Sequence, residues 1–572
     1  MKRLPQILFA ALWAGFGASF GVLAQDSTTD ATPTAEPFVT ADMVIWDGTI
    51  YTAEDSGPTA EAVAVKDGRI IYVGNRNGAA GYVTPDTQVI SLEGGTLYPG
   101  FTDAHAHLSG IGARELSLNL EATPSLQALQ TALRNYSDRN PDQTVVVGRG
   151  WIETHWPEGR FPSRWDLDDI VDDRPVILFR ADGHAAVVNS AALNAAGITG
   201  ATEAPFGGAI QKNALDEPNG MLIDAAMGLV RTLIPTATAD DVAEQLMVGA
   251  RVYSQYGWTG LHNMSVSWQE VELLESLSER GDIAIRVYNS INRDDATNLF
   301  TGGIRQTGNG RIITRAIKLY IDGALGSRGA ALLEPYADAN TSGLLLSKPE
   351  EVLPLLETAL RQGIQINMHA IGDRGNRELL NWYEETFNLV PPEERIVGTP
   401  RWRDEHTQIV HPDDIPRYAA LGVIPSMQPS HAIGDLHFAQ DRLGEERLRG
   451  AYAWQSFLDT GVIIAGGSDA PVERGDPLIE FYAATARRDL QGFQGENWYP
   501  EEALTREEAL KMFTLWPAIA SFAESEIGSI AVGKKADFTA FDIDLMTAPE
   551  ADIPKGRALL TIVDGQIVHQ AQ

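Results

Sequence analysis

His105 and His107 stand two residues apart in the stretch YPGFTDAHAH (98–107). On an extended strand, residues i and i+2 project to the same side. The spacing therefore predicts two imidazoles side by side, which is a start on a metal site. Four more residues of ligand type follow, each in or just after an apolar run of strand length: Lys318 in AIKLYIDG, His369 in INMHAIGD, His406 in DEHTQIV and Asp469 in IAGGSDAP. Singly, each has an ordinary alternative: a snorkelling lysine, histidines satisfied by backbone, a turn or N-cap aspartate. Their shared placement at strand ends makes them one candidate centre. The chain has no cysteine, so disulfides and thiolate chemistry are excluded and any metal must be held by His, Asp, Glu or a modified side chain.

The elements that must position these residues are legible as an alternation. Apolar runs such as TVVVGRGW, PVILFRADGH, GLHNMSV, IAIRVYNS and GVIPSMQPSH are separated by amphipathic text such as LPLLETALRQ and YAATARRDL. Strands alternating with helices imply a parallel sheet, either doubly wound or closed as a (β/α)8 barrel. Histidine and aspartate recur at the C-terminal ends of the runs, the face on which barrels keep their chemistry, and this selects the barrel. The two chain ends read differently. KDGRII near the start and VDGQIV near the end each set Asp-Gly between strand-like runs, at Asp67-Gly68 and Asp564-Gly565, as hairpin turns do. Neither end has enough strands to cover its own apolar face. The expected fold is thus α/β: a (β/α)8 TIM-type barrel over 99–519 with an insertion at about 120–235, and a small β-sandwich domain built from both termini, 38–98 and 520–572.

The first residues, MKRLPQILFAALWAGFGASFGVLAQ, set Lys2 and Arg3 before an apolar run ending Val22-Leu23-Ala24. This reads as a secretory signal over 1–24 followed by a Ser/Thr/Pro-rich tether over 25–37, and export to a bacterial periplasm is expected. The competing reading is an uncleaved membrane anchor. A formal charge of −33 argues against a nucleic-acid groove or an anionic membrane surface as partner. A small-molecule substrate is expected, and association into homo-oligomers stays open.

The ordered set of HxH, strand lysine, two single-strand histidines and a late SDAP resembles the metal-dependent amidohydrolase superfamily. The chain is similar more narrowly to the amidohydrolase 3 branch, which includes N-substituted formamide deformylases. That likeness rests on GRGWIETHWPEGRFPSRWDLD (148–168), PVILFRADGHAAVVNSAAL (175–193), NGMLIDAAM (219–227), KLYIDGALGSRGA (318–330), MQPSHAIGD (427–435) and SIAVGKKADFTAFD (529–542).

The resemblance implies that His105, His107 and Asp469 hold one divalent metal and that His369 and His406 hold a second. It also implies that Lys318 is carbamylated to bridge them. A lysine ammonium has donors only, whereas a carbamate offers anionic oxygen. Zinc suits such a donor set, with one or two ions per chain. Asp469 is expected to carry protons, Asp103 to orient a ligating imidazole, and His184, His431, Trp151 and Arg328 to face substrate. One departure is His262-Asn263, where many members read HD.

The activity implied is hydrolysis of a non-peptide carbon–nitrogen bond, amide, N-acyl or N-formyl, by water activated on the metal. Alternatives are an esterase or lactonase, a deaminase, or a secreted binding protein without turnover. AIGDRGNRE after His369 lacks a close His-x-x-Glu pair, which disfavours deamination. The intact ligand set disfavours the binding protein.

Overall fold

The computed structural model describes residues 39–571, apart from 122, 154–155, 181–184 and 206–207. The candidate signal (1–24), the tether (25–37) and His184 lie outside the described residues. Among those described, no helix is long and apolar enough to cross a membrane.

Eight strands form the barrel in chain order: β1 (Phe101–Ala106), β2 (Trp258–Val266), β3 (Arg286–Asn292), β4 (Ile312–Tyr320), β5 (Gln365–Ala370), β6 (Arg403–His406), β7 (Ile424–Met427) and β8 (Ala465–Gly466). Each pairs in parallel with the next along this path. Their near-continuous burial is what parallel strands covered on both faces require. The seam between β8 and β1 is drawn together by the Asp469 N–H, which donates to the His105 carbonyl at 2.7 Å.

Amphipathic helices return the chain between strands, and their ends follow local chemistry. Ser267 caps the helix Trp268–Glu279 by accepting from the Glu270 N–H. Thr238 and Asp241 form a reciprocal box at the start of Ala239–Tyr256. Gly257 ends that helix in the left-handed region, at φ 107°.

Both chain ends enter one mixed eight-stranded sheet. Thr96–Pro99 pairs with Met43–Tyr51 on one side and, antiparallel, with Phe538–Phe541 on the other. Ile45, Val63, Leu97, Phe538 and Ile562 share one apolar cluster drawn from both ends. The two Asp-Gly turns have the positive φ at both central residues that tight hairpins demand: 49° and 74° at Asp67-Gly68, 52° and 71° at Asp564-Gly565.

The insertion builds a six-stranded sheet of its own from Leu118–Asn119 to Pro218–Asp224. Val146–Trp151 of the run TVVVGRGW and Val176–Arg180 of PVILFRADGH belong to this sheet and not to the barrel. Leu129, Leu133, Trp151, Leu167 and Leu178 lie in a separate core beneath it.

Candidate metal centre

The barrel mouth gathers the ligand-type residues from different strands. His105 and His107 end β1, Lys318 is near the end of β4, His369 and His406 end β5 and β6, and Asp469 follows β8. The Asp469 Oδ1 lies 3.1 Å from His107 Nε2 and 3.6 Å from His105 Nε2. Its Oδ2 lies 3.7 Å from Nε2 of His431, which sits on the helix Pro429–Asp435. Two triads with ligand atoms within 4.8 Å of one another result: His105, His107 and Asp469, and His406, His431 and Asp469. The His369 and His406 rings stand 4.5 Å apart between centroids. Lys318 Nζ lies 3.4 Å from His105 Nε2.

Three imidazoles are held by their outer nitrogens, which turns their Nε2 atoms toward Asp469. His105 Nδ1 meets Glu405 Oε2 at 2.6 Å, His107 Nδ1 donates to the Met264 carbonyl at 3.0 Å, and His406 Nδ1 donates to Gln428 Oε1 at 2.8 Å. Fixing one ring nitrogen in this way sets which nitrogen is free to bind an ion. Burial, helped by Lys318, lowers the pKa of His105 to about 4 and that of His369 to about 3, so both rings are neutral, the form a cation binds. The Nε2 atoms of His369 and His431 are buried without a hydrogen-bond partner. Buried polar atoms left bare beside a carboxylate fit a cation. The donor set is therefore that of a divalent metal site.

Lys318 is buried among these groups, and desolvation lowers its pKa to about 8. Burial opposes ionisation of Asp469. The hydrogen bond from His107, with His105 and His406 nearby, outweighs it and holds the carboxyl well below its usual range. The backbone here is strained: His406 has φ 82° and Asp469 φ 59°, both left-handed, as is common where function over-determines geometry. Gly467 is needed beside them. A Cβ there would lie 2.5 Å from the His105 amide nitrogen and 2.9 Å from Asp103 Oδ1.

Several expectations are corrected. Asp103 orients no imidazole. Its carboxylate accepts from the backbone N–H groups of His105 and Ser468, both at 3.0 Å, and from the hydroxyls of Ser468 (2.6 Å) and Tyr253 (2.9 Å). It thus ties β1 to the loop that carries Asp469. The imidazole-orienting acid is Glu405, unforeseen from sequence, which Arg403 grips at 2.7 Å.

Trp151 does not wall the pocket. Its indole is fully buried in the insertion core and donates to the Leu178 carbonyl at 2.8 Å. Arg328 is a structural pair, reaching both carboxylate oxygens of Asp338 at 3.0 and 2.7 Å. The arginine on the pocket wall is Arg442. That pocket, of about 690 Å3, opens over the centre and is walled also by Tyr320, Phe438, Val472 and Glu473.

A barrel of this order with this donor set defines a metal-dependent hydrolase, and the chain belongs to the amidohydrolase family, whose sequence profile matches residues 88–569. The Bacillus subtilis protein YtcJ, named as an amidohydrolase, is 33% identical over 539 residues, covering 92% of this chain and 99% of its own. An N-substituted formamide deformylase of Arthrobacter pascens is 28% identical over 545 residues, covering 92% and 98%. The crystal structure of an uncharacterised metal-dependent hydrolase from Pyrococcus horikoshii aligns with a TM-score of 0.72 at 26% identity, over 89% of this chain and 99% of that one.

Proposed function

We propose that the chain hydrolyses a non-peptide carbon–nitrogen bond in a small amide, N-acyl or N-formyl compound. The observation that carries this reading is the carboxylate of Asp469 set against His105 and His107 at the barrel mouth, with His369, His406 and Lys318 beside them. The name of the Arthrobacter relative makes N-formyl amines the first class to try.

Zinc is the ion best suited to these donors, with His105, His107 and Asp469 for one site and His369 and His406 for a second; when bound it polarises a carbonyl and brings the pKa of water to near 7. Lys318 is proposed to be carbamylated. Its unprotonated Nζ forms a bond to the carbon of CO2 and releases a proton, which leaves an anionic oxygen where an ammonium stood. Asp469 accepts the proton of the attacking water and returns it to the leaving nitrogen. His431, its Nε2 bare and 3.7 Å from Asp469 Oδ2, binds the substrate at its polar end. Tyr320, Phe438 and Val472 receive the apolar part. Export through residues 1–24, with the mature chain acting in the periplasm, is part of the same proposal and is checked by whether the exported protein begins at Gln25.

The test is metal analysis of protein grown with zinc and bicarbonate, beside Lys318→Ala. About two ions per chain, falling in the variant, are expected, together with hydrolysis of N-alkylformamides. Near-zero metal in well-folded protein overturns the mechanism. Turnover of a matched formate ester with none of the amide moves the assignment to an esterase.

A further inference from the structure

A second cavity lies at the opposite end of the barrel. It has a volume of about 350 Å3, and its wall is made by residues early in four strands: Thr102 of β1, His262 of β2, Arg286 and Tyr288 of β3, and Ile313 and Arg315 of β4. Four cations line it, Arg286, Arg311, Arg315 and Lys535, in a chain of net charge −33.

Three of them divide two carboxylates. Arg286 binds Asp537 and Asp564, each at 2.5 Å, Arg311 binds Asp564 at 2.9 Å, and Lys535 lies 3.6 Å from Asp564. The carboxylate on the wall, Glu526, is taken by Arg69 at 2.8 Å. Arg315 has no such partner. Among the described residues its guanidinium makes no ion pair, and its Nε is buried without a hydrogen bond. It lies 3.6 Å from the centre of the Phe522 ring, and Arg401, itself paired with Glu524, stands 4.7 Å from the same ring. Arg315 is half-buried; drawing a guanidinium partly out of water without a counter-ion is unfavourable, and two guanidiniums on one ring repel. Phe522 also adopts φ 61°, an outlier for a bulky residue of the kind that clusters at ligand clamps.

We propose that this cavity binds a small organic anion, a carboxylate or phosphate on an apolar body, with Arg315 as its counter-ion. The guanidinium fork matches either oxyanion through two parallel hydrogen bonds. Leu261, Val287, Ile304, Ile313 and Ile527 supply the apolar wall for the body of the ligand. The site is separate from the metal centre, yet joined to it. His262 Nδ1 accepts from Arg403 Nη1 at 2.6 Å, Arg403 holds Glu405, and Glu405 holds His105.

Isothermal titration of the metal-loaded full chain with benzoate, phenyl phosphate and inorganic phosphate tests this, in wild type, Arg315→Gln and Ile304→Trp. Ile304 is 44% exposed on the cavity wall, so a larger side chain there fills the space without removing the cation. The aryl anions are expected to bind at least about tenfold more tightly than inorganic phosphate, and both variants to lose at least about tenfold with metal content unchanged. Binding that survives Arg315→Gln, or no saturable heat from any of the three up to about 10 mM, overturns the proposal. Equal binding of inorganic phosphate overturns the apolar-body part. Should Arg315→Gln fail to fold, Ile304→Trp decides by the same criterion.

Discussion

At its mouth the barrel gathers five imidazoles around the carboxylate of Asp469; at its floor it gathers guanidiniums around Asp537 and Asp564. Both ends are polar and largely buried, yet the groups differ in what burial does to them. A guanidinium stays charged under nearly all conditions and must be matched by anions, which the floor supplies everywhere but at Arg315. An imidazole gives up its proton when buried, so the mouth holds His105 and His369 neutral, with the Nε2 of His369 and His431 bare. The contrast teaches that the two ends suit opposite ligands, a cation beside the bare imidazoles and, on our proposal, an anion beside Arg315.

The contrast breaks most severely at Asp469. Asp469→Asn keeps the shape but loses the anion shared by both triads, and kcat/KM for the amide is expected to fall by about 10³- to 10⁴-fold, with zinc content measured alongside. Retention of wild-type turnover would remove Asp469 from the chemistry. Glu405→Gln tests the link between the ends. With His105 no longer oriented by a carboxylate, metal affinity by chelator competition should drop about 10- to 100-fold.

A third prediction uses pH. Because the Lys318 pKa is lowered to about 8, its amine is about a tenth unprotonated at pH 7, half at pH 8 and about nine-tenths at pH 9. Reactivation of metal-stripped enzyme by zinc at fixed dissolved CO2 should therefore accelerate about fivefold from pH 7 to 8 and flatten above 9. A rate still climbing above pH 10 would place the amine at its ordinary value. The smallest effects lie away from both ends. Arg328→Gln should leave kcat/KM within about twofold, as expected of a rim ion pair. Trp151→Phe should also leave kcat/KM nearly unchanged, while costing about 1–3 kcal/mol of stability, read in a denaturant melt, through the lost hydrogen bond and the space left behind.

The sequence made the candidate ligands legible because each sits at the same place in a repeating unit, the C-terminal end of an apolar run. It did so for His105, His107, Lys318, His369, His406 and Asp469, which share the barrel mouth. Arg403 and Glu405 were hidden for two reasons. Their partners lie far away along the chain, His262 and His105. Regular alternation would also turn Glu405 away from the side that His406 faces, and it is the positive φ at His406 that allows both to face the barrel interior. Asp103 misled by proximity, since a carboxylate two residues from a ligand can close on backbone as readily as on an imidazole. Trp151 and its strand misled because a buried parallel strand of the insertion reads like one of the barrel.

The terminal sheet carries one further consequence. Thr96–Pro99 has one neighbour from the start of the chain and the other, Phe538–Phe541, from its end. During synthesis, therefore, the early strands emerge with a bare edge that nothing nearby in sequence covers, and the sheet closes only after the last hairpin has left the ribosome. An exposed strand edge is a template for wrong pairing. A molecule cut short before Phe538 is then distinguishable from a longer one at its opposite end, because Thr96–Pro99 lacks its second neighbour.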